Sequence, residues 1–159
     1  MFRIGFGNDI HRLSAGKPLI IGGVTIPSDF GAEGHSDADV LVHAATDAVL
    51  GALAFGDIGS HFSDKDERWK GANSLIFLDE AVRLMKEKGY EIVNFDSTIN
   101  LEVPKLRPHI QQMRQNLAKS LEVETDFVSV KAKTGEKIDA VGESRAIKAE
   151  VIVLLKVSV

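Results

Sequence analysis

Residues 39–53 read DVLVHAATDAVLGAL, a stretch that is apolar almost all the way round a helix. A helix of this kind is expected to be buried, so the stretch predicts a buried helix. The helix should begin near Asp37 or Asp39 and run to about Ala54, with Gly56 as its terminator.

Three polar residues interrupt this helix at a spacing of four, which places Asp39, His43 and Asp47 on one stripe. Charged groups on a buried helix need a partner, a metal or a water-filled cleft. His43 is therefore a candidate metal ligand, and one of the two aspartates could orient its imidazole. The alternative has equal weight: a core histidine satisfied by its neighbours, with Asp39 as a first-turn charge and Asp47 at the surface.

A second candidate lies upstream, in Asp9-Ile10-His11. Residues 2–8 read as a short strand, and in an extended segment the side chains of residues i and i+2 point to the same face. Asp9 and His11 would then converge and supply part of a zinc or manganese site. Because so short a motif is common by chance, a surface Asp–His pair at a strand end is the alternative.

The rest of the chain alternates between strand and helix patterns. The predicted elements are strands at Leu19–Ile21 and Val24–Ile26, a loop over 27–38, a polar loop over 56–72, a helix capped by Asn73 or Ser74 and ended by Gly89, a strand over 94–103, a helix with Pro108 in its first turn, and strands over 127–132 and 147–157. This order predicts an α+β fold, with helices packed on one face of a mixed β-sheet in a single domain over 1–159.

Composition limits the functions that this chain can have. Its 159 residues suit one domain. The net charge of −4 argues against nucleic-acid binding driven by overall charge. The absence of cysteine excludes disulfides, thiolate–zinc sites, Fe–S clusters and cysteine nucleophiles. No apolar run reaches the roughly 18 residues of a membrane span, and the first residues show no targeting pattern. We therefore expect a soluble cytoplasmic protein that binds neither nucleic acid nor membrane.

A third candidate is KAKTGEK over residues 131–137, where a strand ends in a turn. Lys131 and Lys133, a hydroxyl and exposed backbone N–H groups suit a phosphate chain, and Glu136 could hold Mg²⁺ jointly with that phosphate. A charged hairpin turn is the alternative. His35 and Ser36, just before the central helix, could contact a phosphate, or Ser36 could form a capping box with Asp39. The sequence contains no Walker, Rossmann or serine-elbow motif.

Taken together, these pieces resemble one family, the 2-C-methyl-D-erythritol 2,4-cyclodiphosphate synthases of the non-mevalonate isoprenoid pathway. The matching stretches follow the family's order along essentially the whole chain: Ile4–His11, Ile21–Pro27, His35–His43, Gly56–Gly59, Phe62–Asp66, Pro104–Leu106 with Pro108-His109, and Thr134–Glu136. The resemblance implies a homotrimer with active sites at the subunit interfaces. It also implies a zinc ion held by Asp9, His11 and His43, and a second ion, Mg²⁺ or Mn²⁺, held by Glu136 and the substrate's diphosphate.

The resemblance further implies the reaction. The 2-phosphate of 4-diphosphocytidyl-2-C-methyl-D-erythritol 2-phosphate attacks the β-phosphorus of its own diphosphate, and CMP leaves. Positioning for such an intramolecular attack can lower the barrier by roughly 7–11 kcal/mol, and two cations reduce the repulsion between the two anions. Two other functions stay open from the residues: a metal-dependent nucleotide diphosphate hydrolase and a noncatalytic module stabilised by zinc.

His35 and Thr134 are the implied catalytic residues, in contact with the transferring phosphoryl group. The other implied substrate-binding residues are Asp9, Ile10, His11 and Ser36 near the metal; Asp57, Ile58 and Gly59 at the ribose; Phe62, Ser63, Asp64, Lys65 and Asp66 over the methylerythritol; and Leu101, Glu102, Val103, Pro104, Lys105, Leu106, Arg107, Ala132, Lys133, Gly135 and Glu136 around the cytidine. Many members have threonine where this chain has Lys133, so the cytidine phosphate is expected to meet a lysine here.

Overall fold

One mixed sheet with helices on one of its faces makes up the molecule, which the computed structural model describes over residues 1–158. The elements are β1 (Phe2–Ala15), β2 (Leu19–Ile21), β3 (Val24–Ile26), β4 (Phe30–Ala32), α1 (Val40–Leu53), α2 (Ile58–His61), α3 (Leu75–Glu87), β5 (Tyr90–Asn100), α4 (Ile110–Leu121), β6 (Val128–Lys133), α5 (Asp139–Gly142) and β7 (Ala146–Val157). The predicted α+β class is confirmed. None of the helices in this part of the chain is long and apolar enough to span a membrane.

The five-stranded sheet has the order β4-β1-β7-β5-β6. Only β5 and β6 run parallel, and the β2–β3 hairpin stands apart from the sheet. One row of paired residues crosses the sheet from Asp9 through Ala149 and Ile99 to Ala132. Because neighbouring strands lie about 4.8 Å apart, the two ends of this row are separated by about 14 Å.

Helix α1 is buried, as its sequence predicted. It packs across β1 and β7, and eleven of its fourteen residues are buried. Gly5 and Gly7 permit this contact: a Cβ on Gly5 would lie 1.8 Å from the carbonyl oxygen of Ala48, and one on Gly7 would lie 2.0 Å from that of Ala44. The helix therefore lies directly on the backbone of β1, which brings His43 next to the following residues of that strand.

Asp39 anchors the start of α1. Its carboxylate accepts a hydrogen bond from the Val42 amide (3.1 Å) and two more from Gly22 (2.9 Å) and Gly23 (2.7 Å) in the β2–β3 turn. Burial raises the pKa of Asp39 to about 6, although these three N–H groups act in the opposite direction. The helix ends at Ala54, which adopts the left-handed conformation, so Ala54 and not Gly56 is the cap.

Strand β1 is longer than predicted. Residues 8–12 pair with β7, and Leu13–Ala15 pair with β4 inside the predicted 27–38 loop. These pairings join distant parts of the chain, and a local pattern of apolar residues does not show them. Strand β5 likewise begins at Tyr90 and ends at Asn100 instead of covering 94–103.

The remaining differences are short helical segments in predicted loops. Helix α2 and a 3₁₀ turn at Glu67–Trp69 lie within the polar 56–72 loop, and α5 lies between β6 and β7. The α3 and α4 helices each bury one apolar face: Leu78, Val82 and Met85 on the first, and Met113, Leu117 and Leu121 on the second.

Candidate metal centre and substrate cavity

Asp9, His11 and His43 bring three potential ligand atoms together at the contact between β1 and α1. Asp9 Oδ2 lies 2.8 Å from His11 Nε2 and 3.0 Å from His43 Nδ1, and the two nitrogens are 3.2 Å apart. Asp9 and His11 share one face of β1, as the spacing in the strand predicted. Among residues 1–158 this is the only such cluster of histidine and acidic side chains.

The other nitrogen of each imidazole is held by a neighbour. His11 Nδ1 donates to the carbonyl oxygen of Glu33 at 2.8 Å. His43 Nε2 lies 2.8 Å from Ser74 Oγ and 3.0 Å from Ser36 Oγ. These contacts leave His11 Nε2 and His43 Nδ1 free to face Asp9, which is the arrangement that a metal site needs around its ligands.

Neither of the helix aspartates orients His43, so this part of the prediction was wrong. Asp39 caps α1, and Asp47 accepts a hydrogen bond from the Ile58 amide at 2.7 Å. Burial raises the pKa of Asp47, although the bond from Ile58 lowers it. Asp47 thus fixes the start of α2, while serines outside the stripe hold the imidazole.

The charges within the triad are strongly coupled. Burial raises the pKa of Asp9, but hydrogen bonds from His11 and His43 outweigh burial and lower the pKa to about 2. Burial lowers the pKa of His11, and the bond to Asp9 reverses this and raises it overall. The carboxylate therefore stays ionised and attracts positive charge, either protons on the imidazoles or a cation in their place.

The donor set fits a divalent metal ion. Tetrahedral zinc binds nitrogen and oxygen at 2.0–2.1 Å, so its ligand atoms lie roughly 3.3 Å apart. The separations of 2.8, 3.0 and 3.2 Å need only a small outward movement to reach that value. Three protein ligands without sulfur match catalytic zinc sites, in which the fourth position is left for water or substrate.

A cavity of about 430 Å³ opens directly from the triad. Its lining residues are His11, His35, Ser36, His43, Ile58, Gly59, Phe62, Asp64, Trp69 and Phe77. Aromatic rings form one wall, with the Phe62 and Phe77 centroids 4.6 Å apart and Trp69 5.6 Å from Phe77. The cavity thus places an apolar wall beside a polar, metal-binding floor, a common arrangement in sites for small molecules.

A second, smaller cavity of about 130 Å³ lies at the far edge of the sheet. It is lined by Leu101, Pro104, Lys105, Leu106, Arg107, Ala132, Lys133 and Thr134, all of which belong to the predicted cytidine and phosphoryl set. Glu102 and Val103 do not line it: Glu102 accepts a hydrogen bond from the Gly135 amide at 2.9 Å, and Val103 is exposed. Thr134 Oγ1 donates to Glu136 at 2.8 Å.

Comparisons with known proteins give the relationships of this chain. A model of the YgbB family matches residues 2–156. The chain belongs to the YgbB family. It is 57% identical over 97% of its length to the 2-C-methyl-D-erythritol 2,4-cyclodiphosphate synthase of Solibacter usitatus (strain Ellin6076), of which it covers 97%.

Two solved structures extend the relationship to the fold of the YgbB chain. A 2C-methyl-D-erythritol-2,4-cyclodiphosphate synthase in its CDP-bound form is 40% identical, with a TM-score of 0.90 over 97% of this chain and 100% of that one. The bifunctional IspDF from Campylobacter jejuni is 37% identical, with a TM-score of 0.94, and the match covers 99% of this chain but 42% of that longer protein.

Some predicted site residues of this YgbB-family chain point away from the large cavity. Ile10 is exposed on the face of β1 opposite to Asp9 and His11. The carboxylate of Asp66 pairs with Arg68 at 2.6 Å, and its carbonyl oxygen accepts a hydrogen bond from His35 Nε2 at 3.1 Å. Ser63 and Lys65 are exposed and do not line the cavity.

Asp57 has a structural partner that the motif did not predict. Its carboxylate caps α2 by accepting bonds from the Ser60 amide (2.8 Å) and the Ser60 hydroxyl (2.6 Å). Hydrogen bonds from Ser60 also lower the pKa of this carboxyl group below its ordinary value. The side chain remains exposed, so its outer oxygen is accessible to a ligand.

Sequence reasoning missed four groups at this YgbB site: Ser74, Trp69, Phe77 and the Glu33 carbonyl. Ser74 was predicted only as a helix cap, and the two aromatic residues had no polar motif around them. Their positions beside the triad depend on packing between elements that are distant in the chain. The one local signal was Trp69, an aromatic residue within an otherwise polar loop.

Proposed function

We propose that this chain converts 4-diphosphocytidyl-2-C-methyl-D-erythritol 2-phosphate into 2-C-methyl-D-erythritol 2,4-cyclodiphosphate and CMP. The observation that carries the proposal is the Asp9–His11–His43 triad at the base of a cavity of substrate size. Membership of the YgbB family, with synthases among its close relatives, supports the same reaction. A CDP-bound relative supports a cytidine nucleotide as the ligand.

The reaction makes one bond and breaks one bond. An oxygen of the 2-phosphate attacks the β-phosphorus, and the bond from that phosphorus to the oxygen bridging the two phosphates breaks. CMP leaves with the bonding electron pair. A phosphate dianion is already a nucleophile near neutral pH, so the protein needs no general base. Its main task is to hold the substrate folded back on itself, which can contribute roughly 7–11 kcal/mol.

The residues divide this task by their chemistry. Asp9, His11 and His43 would hold Zn²⁺, and Glu136 with the substrate's diphosphate would hold Mg²⁺ or Mn²⁺. When bound, these ions supply Lewis-acid stabilisation of the negative charge on the phosphates. His35 Nε2 donates to the Asp66 carbonyl oxygen at 3.1 Å, which fixes the ring in the cavity wall where the transferring phosphoryl group would lie.

The remaining polar groups would bind the two ends of the substrate. Thr134 and Lys133 would contact phosphate oxygens beside the smaller cavity, and Asp57 would accept from the ribose. The aromatic wall of Phe62, Trp69 and Phe77 would exclude water from the methylerythritol. Excluding water favours attack by the 2-phosphate over hydrolysis, which is why we prefer a cyclase to a diphosphate hydrolase.

Two features of the sheet support the homotrimer that the family resemblance implies. The triad and the smaller cavity belong to strands about 14 Å apart, whereas ions sharing one diphosphate must lie closer together. In addition, the sheet face opposite α1 carries an exposed apolar patch, with Ile4 72% exposed, Phe6 55% exposed and Ile152 50% exposed, beside the Lys148–Glu150 ion pair. Association through this face would cover it and let the triad of one copy work with Glu136 of the next.

Phosphorus NMR of the purified protein with the diphosphocytidyl substrate, Zn²⁺ and Mg²⁺ tests the reaction. We expect a cyclic diphosphate and CMP in equal amounts. Inorganic phosphate, or a linear methylerythritol diphosphate with no cyclic product, would overturn the proposal in favour of hydrolysis. Sedimentation equilibrium tests the assembly, and a mass of one 17.3 kDa chain would contradict the homotrimer.

A further inference from the structure

The Ser74 side chain has unusual hydrogen-bond partners for a residue at the start of a helix. It occupies the N-cap position of α3, where a serine oxygen ordinarily accepts a hydrogen bond from the first turn of the helix, yet its side chain makes no such bond. Its hydroxyl instead lies 2.8 Å from His43 Nε2 on one side and contacts the Asp37 carboxylate on the other. The side chain is fully buried, so both contacts are sheltered from water.

The direction of these hydrogen bonds follows from counting protons. Both oxygens of Asp37 accept from backbone amides, Oδ1 from Asp39 at 3.2 Å and Oδ2 from Ser74 at 3.1 Å, so this carboxylate acts as an acceptor and the single proton of the Ser74 hydroxyl goes to it. The hydroxyl oxygen must then accept from His43, which places the imidazole proton on Nε2. In the neutral imidazole that binds a metal ion, the lone pair of His43 is then on Nδ1, the atom that faces Asp9 at 3.0 Å.

The backbone around Asp37 holds this geometry in place. The Ser74 amide donates to Asp37 Oδ2 at 3.1 Å, and the Asp37 amide donates to the Ala72 carbonyl oxygen at 3.0 Å. The segment before α1 and the segment before α3 are therefore joined through the same carboxylate. Ser36 also approaches His43 Nε2, at 3.0 Å, but its hydroxyl has no carboxylate partner to direct its proton.

We propose that Asp37 and Ser74 form a carboxylate–hydroxyl relay that holds His43 in the Nε2–H form and thereby sets the metal affinity of the site. Both are positioning residues that act through His43. The inference rests on the proposed metal site and extends it: a carboxylate normally meets a metal-bound histidine directly, and here a buried hydroxyl stands between them. Losing such a partner typically weakens metal binding 10- to 100-fold.

Zinc titration against a chromophoric chelator tests the relay in four proteins: the parent, Ser74→Ala, Asp37→Asn and Ser97→Ala. Ser97 is the matched control, because it is a buried serine whose hydroxyl donates to the Ser129 carbonyl oxygen, outside the metal site. We expect the zinc dissociation constant to rise 10- to 100-fold in Ser74→Ala and about 10-fold in Asp37→Asn. Ser97→Ala should bind zinc like the parent.

Co²⁺ substitution adds a readout that a merely structural role would not move. The visible absorption bands of bound Co²⁺ should shift in Ser74→Ala and in Asp37→Asn, and should coincide with the parent bands in Ser97→Ala. Parent-like zinc affinity and bands in either relay variant would overturn the relay alone. Failure of the parent to bind zinc, or unchanged binding in His43→Ala, would instead overturn the metal site itself.

Discussion

The two cavities differ in what holds their walls. The metal triad comes from the middle of β1 and the first turns of α1, and the second nitrogen of each of its imidazoles is hydrogen-bonded. The smaller cavity is built largely from the connections that follow β5 and β6. Glu136 and Lys137, just beyond it, have φ angles of 51° and 61°, a left-handed conformation that is unfavourable for residues other than glycine.

The metal triad is thus formed by the folding of one chain, whereas the proposed homotrimer predicts that substrate and a neighbouring copy complete the Glu136 end of the site. Backbone ladders position the triad before any ligand arrives. The 134–137 segment has few such constraints, and Glu136 is exposed, with Thr134 as its hydrogen-bond partner. Substitutions in the triad and substitutions in the 134–137 segment should therefore lower activity for different reasons.

The largest effect is expected from His43→Ala. Removing one of three ligands should abolish zinc binding and lower turnover at least 10³-fold, since the site would keep only two protein ligands. The chain should stay folded, because an open site is catalytic and contributes little to folding. Zinc content by mass spectrometry and circular dichroism check this. His109→Ala should retain zinc; loss of zinc there, or retention in His43→Ala, would break the assignment.

Glu136→Gln should lower turnover and the response to Mg²⁺ without changing zinc binding at the triad. An amide is a poor ligand for a hard cation, so we expect turnover to fall roughly 10²- to 10³-fold and the response to added Mg²⁺ to disappear. Zinc content should match the parent. Turnover measured across a Mg²⁺ titration decides the matter. The control is Glu143→Gln, a nearby glutamate paired with Arg145, which should respond to Mg²⁺ normally.

Asp39→Asn, at the start of the helix that carries His43, should change how the free energy of unfolding depends on pH. The folded pKa of about 6 exceeds the ordinary 3.8, so between these values the folded chain holds a proton that the unfolded chain has released. The free energy of unfolding of the parent therefore falls as the pH rises through this window, by at most about 3 kcal/mol. The variant should lack this fall.

Urea unfolding of the metal-free proteins at pH 4, 5, 6 and 7 measures this slope. The comparison is with the exposed Asp126→Asn, which should retain the slope of the parent. Parallel curves for the parent and Asp39→Asn would show that the Asp39 carboxyl does not titrate in this range.

The smallest effect is expected from Asp57→Ala. A ribose contact far from the reacting phosphorus contributes the same binding to substrate and transition state, so KM should rise about 10-fold while kcat changes little. Steady-state kinetics of CMP release measure both constants. Ser60→Ala removes the capping hydroxyl but keeps the Asp57 carboxylate, so it should leave KM nearly unchanged. A fall in kcat alone would contradict the ribose role.

Much of this site could be predicted before folding was considered. The spacing of Asp9 and His11 in a strand and the polar stripe of α1 made all three residues candidate ligands, each with a structural alternative, because strand and helix periodicities decide which residues share a face. The family resemblance joined them into one site, and the structure brings their ligand atoms together. The order of the elements also predicted the fold class, and the two short strands Leu19–Ile21 and Val24–Ile26 have their predicted bounds.

The sequence by itself therefore determined the candidate ligands, the buried helix and the α+β class, since each is encoded in the spacing of neighbouring residues. Only the tertiary structure decided what surrounds them. Three such features are the pairing of β1 with β7, the contact of His43 with Ser74 instead of with the helix aspartates, and the pairing of β5 with β6 that places the smaller cavity away from the triad. Each depends on contacts between residues more than 30 positions apart. Such contacts depend on how elements pack, because the energy that selects them comes from the whole core rather than from any local segment.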